Sequence, residues 1–197
     1  MSGLIIAFEG LDQSGKQTQA ELLRDSLKQS GRKARLVSFP DYGTSIGEEI
    51  ARALIGEREY GPEVMQLLYT ANRYERKADL SRWLDGGLVL VCDRYTASSV
   101  AYGEAQGLDP AWLAGLQKFL PGPALTFLLD IAPETAVQRK AVGRDRYERD
   151  LAMQLLVRES YHRQAREPGW VVLDGERSKE TIAAEAFSAA TSRLGPL

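Results

Sequence analysis

An apolar run at residues 4–8, the segment Gly10-Leu11-Asp12-Gln13-Ser14-Gly15-Lys16, and a helical pattern with Ala20, Leu23 and Leu27 on one face follow one another directly. That succession leaves few folds open. A buried strand that turns through a glycine-rich loop into a helix, with lysine at the junction, is the context of a phosphate-holding loop. Backbone N–H groups at a helix N-terminus meet anionic oxygens, and the helix dipole favours them there. Glycine lets the backbone curl close to the anion. Lys16 adds a mobile positive charge for the β- and γ-phosphates of a nucleoside triphosphate. Gln17 and Thr18 continue the loop into the helix, and Thr18 can contact the phosphates as well.

The rest of the chain repeats the alternation. Runs at 34–39, 88–92, 125–129 and 170–173 read as further buried strands. Ile46, Ile50 and Leu54 recur at helical spacing. Pro62 fits the first turn of a long helix whose apolar positions include Val64, Leu67, Leu68, Ala71 and Trp83, and Gly86-Gly87 ends it. Asp109-Pro110 opens another helix, and Ser178 caps a final one. Buried strands alternating with helices predict an α/β fold of three layers, a five-stranded parallel sheet flanked by helices. A length of 197 residues, 44% of them hydrophobic, suits a single domain over 1–197.

Several function classes fall away. A formal net charge of -2 argues against a nucleic-acid-coating protein. One cysteine, Cys92, allows no intrachain disulfide, and with one histidine, His162, a Cys/His zinc site is excluded. Cys92 reads as core and His162 as a helix-surface residue. The first residues lack the pattern of a signal peptide, and no apolar run is long enough to span a bilayer. The expected location is the cytoplasm, with no membrane or nucleic-acid partner.

GTPases, ATPases and kinases all use such a loop. No guanine-reading Asn-Lys-x-Asp motif is present. The arginine-rich stretch 139–149 reads as a solvated helix or as a mobile lid around 140–150. A small chain with such a late segment fits a nucleotide kinase, which must neutralise a transferring phosphoryl group and exclude water. One position departs from the loop's usual form. Lysine is normally followed by serine or threonine, whose hydroxyl meets Mg²⁺, but here Gln17 follows Lys16. A glutamine amide oxygen can ligate Mg²⁺ directly or through water.

The ordered motifs Phe8-Glu9-Gly10-Leu11-Asp12, Phe39-Pro40-Asp41-Tyr42-Gly43, Leu68-Tyr69-Thr70-Ala71-Asn72-Arg73, Asp93-Arg94-Tyr95, Ser98-Ser99-Val100-Ala101-Tyr102 and Asp145-Arg146-Tyr147-Glu148 resemble those of thymidylate kinases over almost the whole chain. The resemblance implies transfer of the γ-phosphate of ATP to dTMP, giving dTDP and ADP on the route to dTTP, with Mg²⁺ as cofactor and a homodimer as the assembly. It places Asp12 at the sugar 3′-hydroxyl and stacks Tyr69 on thymine. It sets Arg73 on the base and Arg94 on the acceptor phosphate. Phe39 and Pro40 form the wall, Tyr42 reaches the phosphates, Ser98 binds dTMP four residues before Tyr102 on the next helix, and Tyr102 crowds the sugar's 2′ position. Asp93 acts on the metal–water shell or orients other groups, and Arg139 lies beside adenine near Arg177-Ser178. Some members carry a basic residue where Gln13 stands and others a lid arginine. Gln13 is uncharged, so Arg144, then Arg146, are expected to supply the lid charge.

Plainer readings stand beside these. Asp12 can cap its own loop, Tyr69 and Arg73 can be packing plus surface charge, and Asp93 and Arg94 can form a structural ion pair. Two other functions stay open: a kinase for dUMP or another deoxynucleotide, and a nucleotide-binding module without catalysis, suggested by Gln17.

Overall fold

The computed structural model describes residues 3–139 and 150–196. Its strands are β1 (Leu4–Glu9), β2 (Ala34–Ser38), β3 (Val89–Asp93), β4 (Leu125–Asp130) and β5 (Trp170–Asp174). They pair in the order β2-β3-β1-β4-β5, and every pairing is parallel. Each strand lies within a residue of its expected bounds. Phe39 leaves β2, and its bond to Pro40 is cis.

The helices are α1 (Lys16–Gln29), α2 (Ser45–Leu54), α3 (Pro62–Glu75), α4 (Lys77–Asp85), α5 (Thr96–Ala105), α6 (Pro110–Leu116), α7 (Pro133–Arg139), α8 (Leu151–Gln164) and α9 (Lys179–Leu194). Thr44, Asp109, Asp150 and Ser178 cap α2, α6, α8 and α9 with side-chain oxygens. None of the helices among the described residues is long and apolar enough to cross a membrane.

Period-two alternation along β1 divides the core. Ile6 and Phe8 face Leu23 and Leu27 of α1 and Ile182 and Ala186 of α9, and Phe8 stacks on Phe127 of β4 at 4.9 Å. Ile5 and Ala7 face the opposite layer, where Leu80 of α4 and Tyr95 pack. Cys92 is buried there, and burial pushes its thiol pKa above the ordinary range.

The single long helix expected from Pro62 to Gly86 is two helices, broken at Arg76. The break follows a polar demand: Arg76 turns to pair with Asp41 on the loop after β2. Of the expected apolar positions, Leu68 and Trp83 pack partly buried against the core, but the fully buried positions of α3 are mostly others. Met65, Gln66, Thr70, Asn72 and Arg73 face inward, while Val64 and Leu67 are exposed.

The central strand positions the site. The chain leaves β1 to build β2 on one side and returns to build β4 on the other, so the crevice at the carboxyl ends of β1 and β3 is a topological switch point. Ligands of open parallel sheets bind at such a point.

Candidate active site

The loop after β1 holds its curl through three left-handed residues, Gly10 (φ 139), Gln13 (φ 65) and Gly15 (φ 93). A Cβ on Gly10 would meet the carbonyl oxygen of Leu129 at 2.5 Å, so only glycine fits there. Lys16 opens α1, is 6% exposed, and folds its ammonium back to donate to the Leu11 carbonyl at 2.6 Å. Burial, and then the charge of Arg94, lower the Lys16 pKa from 10.5 to about 8, against the pull of Asp12, Asp93 and Glu9.

That shift has a testable sign. In the free protein, Lys16 loses its proton as pH rises through about 8. The efficiency kcat/KM for the triphosphate, which reports ionisations of the free enzyme, is expected to be level near pH 7 and to fall above about pH 8. Initial rates at subsaturating triphosphate across pH 6–9.5, roughly the window in which this lysine titrates, measure it.

Arg94 follows β3 and has a left-handed backbone, φ 62. Its guanidinium joins several elements. Nη1 donates to the Gly10 carbonyl at 3.2 Å, to Ser98 Oγ at 3.1 Å and to Tyr161 Oη at 3.4 Å. Nη2 donates to Asp12 Oδ1 and to Tyr102 Oη. The ion pair, which is partly buried, is therefore Arg94 with Asp12, not Arg94 with Asp93. Burial works against the Asp12 charge, but Arg94 and Lys16, with hydrogen bonds from Tyr102 and Arg94, bring its pKa down to about 2. Asp12 stays ionised throughout the physiological range.

Glu9 was not singled out from the sequence, yet it holds this network. It is fully buried at the end of β1. Oε1 accepts from the backbone N–H groups of Tyr95 and Ser98, and Oε2 accepts from Ser98 Oγ at 2.6 Å and Tyr161 Oη at 3.0 Å. Ser98 and Tyr161 in turn hold Arg94. Glu9→Ala leaves these donors without an acceptor, and an expected loss of about 3 kcal/mol in unfolding free energy follows. Urea denaturation measures it, and Glu9→Gln, which keeps one acceptor, should lose less.

The residues assigned to the acceptor by resemblance line one cavity that opens to solvent. Asp12, Phe39, Pro40, Tyr42, Tyr69, Arg73, Arg94, Ser98 and Tyr102 all line it. Leu54, Gln66 and Ser99 also line it, and the sequence reading assigned none of them to the site. Helical spacing from Tyr69 and Arg73 is the signal that could have found Gln66, and adjacency to Ser98 could have found Ser99. Arg73 is buried and donates through Nη1 to Ser99 Oγ at 2.8 Å, Gln117 Oε1 at 3.2 Å and the Tyr69 carbonyl at 3.3 Å. It is thus neither a surface charge nor simple packing. The loop carrying Tyr42 is fastened to α3 by Asn72, whose amide bonds the backbone of Asp41, and by Arg76.

Asp93 Oδ1 is buried and has no hydrogen-bond partner among the described residues. Gln17 is exposed and donates its amide nitrogen to Glu21 at 3.0 Å, a bond that does not use its amide oxygen. No group of three or more His, Cys, Asp or Glu side chains suited to a metal exists among the described residues. These donors fit Mg²⁺, which keeps most of its waters and takes one or two protein oxygens beside the phosphates. Arg139 ends α7 and bridges the Gln13 carbonyl at 3.2 Å and the Gly175 carbonyl at 3.0 Å, between the phosphate loop and the turn after β5. Arg177 pairs with Glu185. His162 pairs with Asp130 at 3.1 Å. Arg144, Arg146 and the expected lid lie outside the described residues.

Residues 8–186 match the family model described as Thymidylate kinase. The chain is 36% identical over 185 residues to the thymidylate kinase of Schizosaccharomyces pombe, covering 91% of this chain and 88% of that one. It is 36% identical over 181 residues to the thymidylate kinase of Plasmodium falciparum, covering 91% and 86%. Among solved structures, thymidylate kinase from Candida albicans superposes with a TM-score of 0.87 at 28% identity, covering 98% of this chain and 93% of that one.

Proposed function

The chain belongs to the thymidylate kinase family, and from that premise we propose that it transfers the γ-phosphoryl group of ATP to dTMP, giving ADP and dTDP on the route to dTTP. The observation that carries the reading is the position of Arg94, which lines the acceptor cavity and bonds the Gly10 carbonyl of the phosphate loop. One guanidinium touches both subsites.

The chemistry is positioning and charge neutralisation. Tyr69 stacks on the base, Arg73 reads it, and Asp12, Ser98 and Tyr102 hold the sugar end. Arg94, with Tyr42 at the rim, fixes the acceptor phosphate. An oxygen of that phosphate forms a bond to the γ-phosphorus of ATP as the bond to the β–γ bridging oxygen breaks, and ADP leaves. Lys16 holds the β- and γ-oxygens within the loop of Gly10, Leu11, Gln13, Ser14 and Gly15, with Gln17 and Thr18 following. Arg144 and Arg146 supply further charge, and Arg139 lies beside adenine. Asp93 and Gln17 would hold Mg²⁺ through its waters, and the ion supplies neutralisation at the β- and γ-oxygens when bound. With γ-labelled ATP, Mg²⁺ and dTMP, label appears in dTDP in step with ADP; release of labelled inorganic phosphate without dTDP defeats the reading.

Tyr102 donates to Asp12 Oδ2 at 2.8 Å and lines the cavity beside it, which supports its reading as a wall against the sugar. UMP is therefore expected to be used with at least about tenfold lower kcat/KM than dUMP, compared in steady-state assays. Equal efficiencies would remove Tyr102 as the selector for deoxyribose.

We also propose a homodimer. Ile55 (72% exposed), Val64 (42%) and Leu67 (46%) expose apolar side chains on α3 and at the end of α2, and Trp112 (37%) adds one on α6. Light scattering on the eluted protein is expected to give twice the 21.8 kDa of one chain.

A further inference from the structure

Gln66 lines the acceptor cavity and is 0% exposed, and neither its amide nitrogen nor its amide oxygen has a hydrogen-bond partner among the described residues. Buried carboxamides are almost always paired, because a desolvated polar group left alone is costly. Both ends of this amide lack a partner, on the wall of a cavity built for a nucleotide. The protein itself supplies no reason to keep a glutamine there, and a ligand does.

The helix sets what that ligand group can be. Gln66 precedes Tyr69 by three residues and Arg73 by seven, so the three side chains share a face of α3. Along the helix axis, Gln66 stands about 4.5 Å from Tyr69 and about 10 Å from Arg73. A single six-membered ring over Tyr69 is then bracketed by an amide on one side and a guanidinium on the other. Arg73 carries donors only and so faces a carbonyl. Its Nε is also without a partner among the described residues. A carboxamide offers an acceptor and a donor side by side, the complement of an adjacent N–H and C=O. A pyrimidine imide presents C=O, N–H and C=O in a row. One carbonyl suits Arg73, and the N–H with the other carbonyl suits Gln66. The stem of Gln66 is confined as well: a Cβ on Gly103 of α5 would come within 3.3 Å of Gln66 Cγ.

We propose that Gln66 is a base-reading residue of the acceptor site, its carboxamide pairing with the imide edge of the pyrimidine that Tyr69 and Arg73 hold. This rests on the dTMP reading above and adds a residue to it. The test is calorimetric binding of dTMP and of 2-deoxyribose 5-phosphate, which lacks the base, to the parent protein and to Gln66→Leu. Gln66→Leu is expected to weaken dTMP about tenfold, the size of one lost buried hydrogen-bond pair. The base-free phosphate should bind both proteins within about twofold, and the melting temperature should not fall, since an unpaired amide gives way to an apolar group of similar shape. A dTMP affinity within about twofold of the parent's overturns the proposal, and so do equal losses for both ligands with a lowered melting temperature, which mark a structural role. Gln66→Met is read by the same criteria where Gln66→Leu does not fold. A parent protein that binds no dTMP refutes the function itself, whereas unaltered binding by the variant refutes only the role of Gln66.

Discussion

Arg94→Ala is expected to lower kcat with dTMP by about 10³-fold. The guanidinium gathers the Gly10 carbonyl, Asp12, Ser98, Tyr102 and Tyr161 around one point in the crevice. A charge so fixed needs no reorganisation when negative charge builds on the transferring phosphoryl group, which is why such groups contribute so much. Its removal also leaves the partly buried Asp12 without its cation, which is expected to cost about 1–3 kcal/mol. The variant should therefore unfold at lower urea concentration than the parent as well as react slowly. The two effects separate by measuring kcat per folded molecule, with the folded fraction read by circular dichroism in the same buffer. Arg94→Lys is not expected to restore the rate, because one ammonium cannot hold the forked set of partners that Nη1 and Nη2 hold together. Near-normal kcat in folded Arg94→Ala would remove the residue from the site.

Lys16→Ala should be comparably damaging, at about 10²–10³-fold in kcat, but with a different signature. Lys16 is buried under the loop and its pKa is already depressed to about 8, so the free protein carries this charge at a cost. Removing it relieves that cost, and the variant is expected to be at least as stable as the parent in urea. KM for ATP should rise together with the fall in kcat, since Lys16 lies within the phosphate loop, whereas KM for dTMP should change little. A drop in stability without a change in the ATP parameters would show that Lys16 serves the loop's own architecture through its bond to the Leu11 carbonyl.

These effects bear on what the sequence could disclose. The sheet was legible because its central strands are nearly continuous apolar runs, as expected where both faces are covered, and β1 meets α1 at a glycine-rich turn that admits few conformations; the edge strands β2 and β5 are only partly buried. The cavity residues were legible only through ordered motifs, since Tyr69, Arg73 and Arg94 say little singly. Two kinds of feature were hidden. The first is helices whose inward face is polar. In α3 the buried positions include Gln66, Asn72 and Arg73, while Val64 and Leu67 point outward. In α8 they are Gln154, Val157, Ser160 and Tyr161, while Leu151, Leu155 and Leu156 are exposed. Apolar periodicity finds only part of the inward face in α3, where Leu68 packs against the core beside the exposed Val64 and Leu67, and no clear face in α8, because these helices also bury polar groups. The break at Arg76 has the same origin, in an ion pair with Asp41 far away in sequence.

The second hidden feature is long-range polar connection. Glu9 sits inside an apolar strand and its partners lie on α5 and α8, 86 to 152 positions later. Asp12 looked like a loop residue, and its pairing with Arg94 across 82 positions cannot be read from spacing. Gln17 remains the one position where the loop departs from its usual form, and its exposed side chain donates to Glu21.

The most direct test of the central claim is a coupled ADP-release assay with ATP and Mg²⁺ against dTMP, dUMP, dCMP, dGMP and UMP in turn. The highest kcat/KM is expected for dTMP, and the purine and ribonucleotide acceptors should fall at least about tenfold below it. Tight ATP binding with no acceptor-dependent ADP formation, or a clear preference for any acceptor other than dTMP, would contradict it.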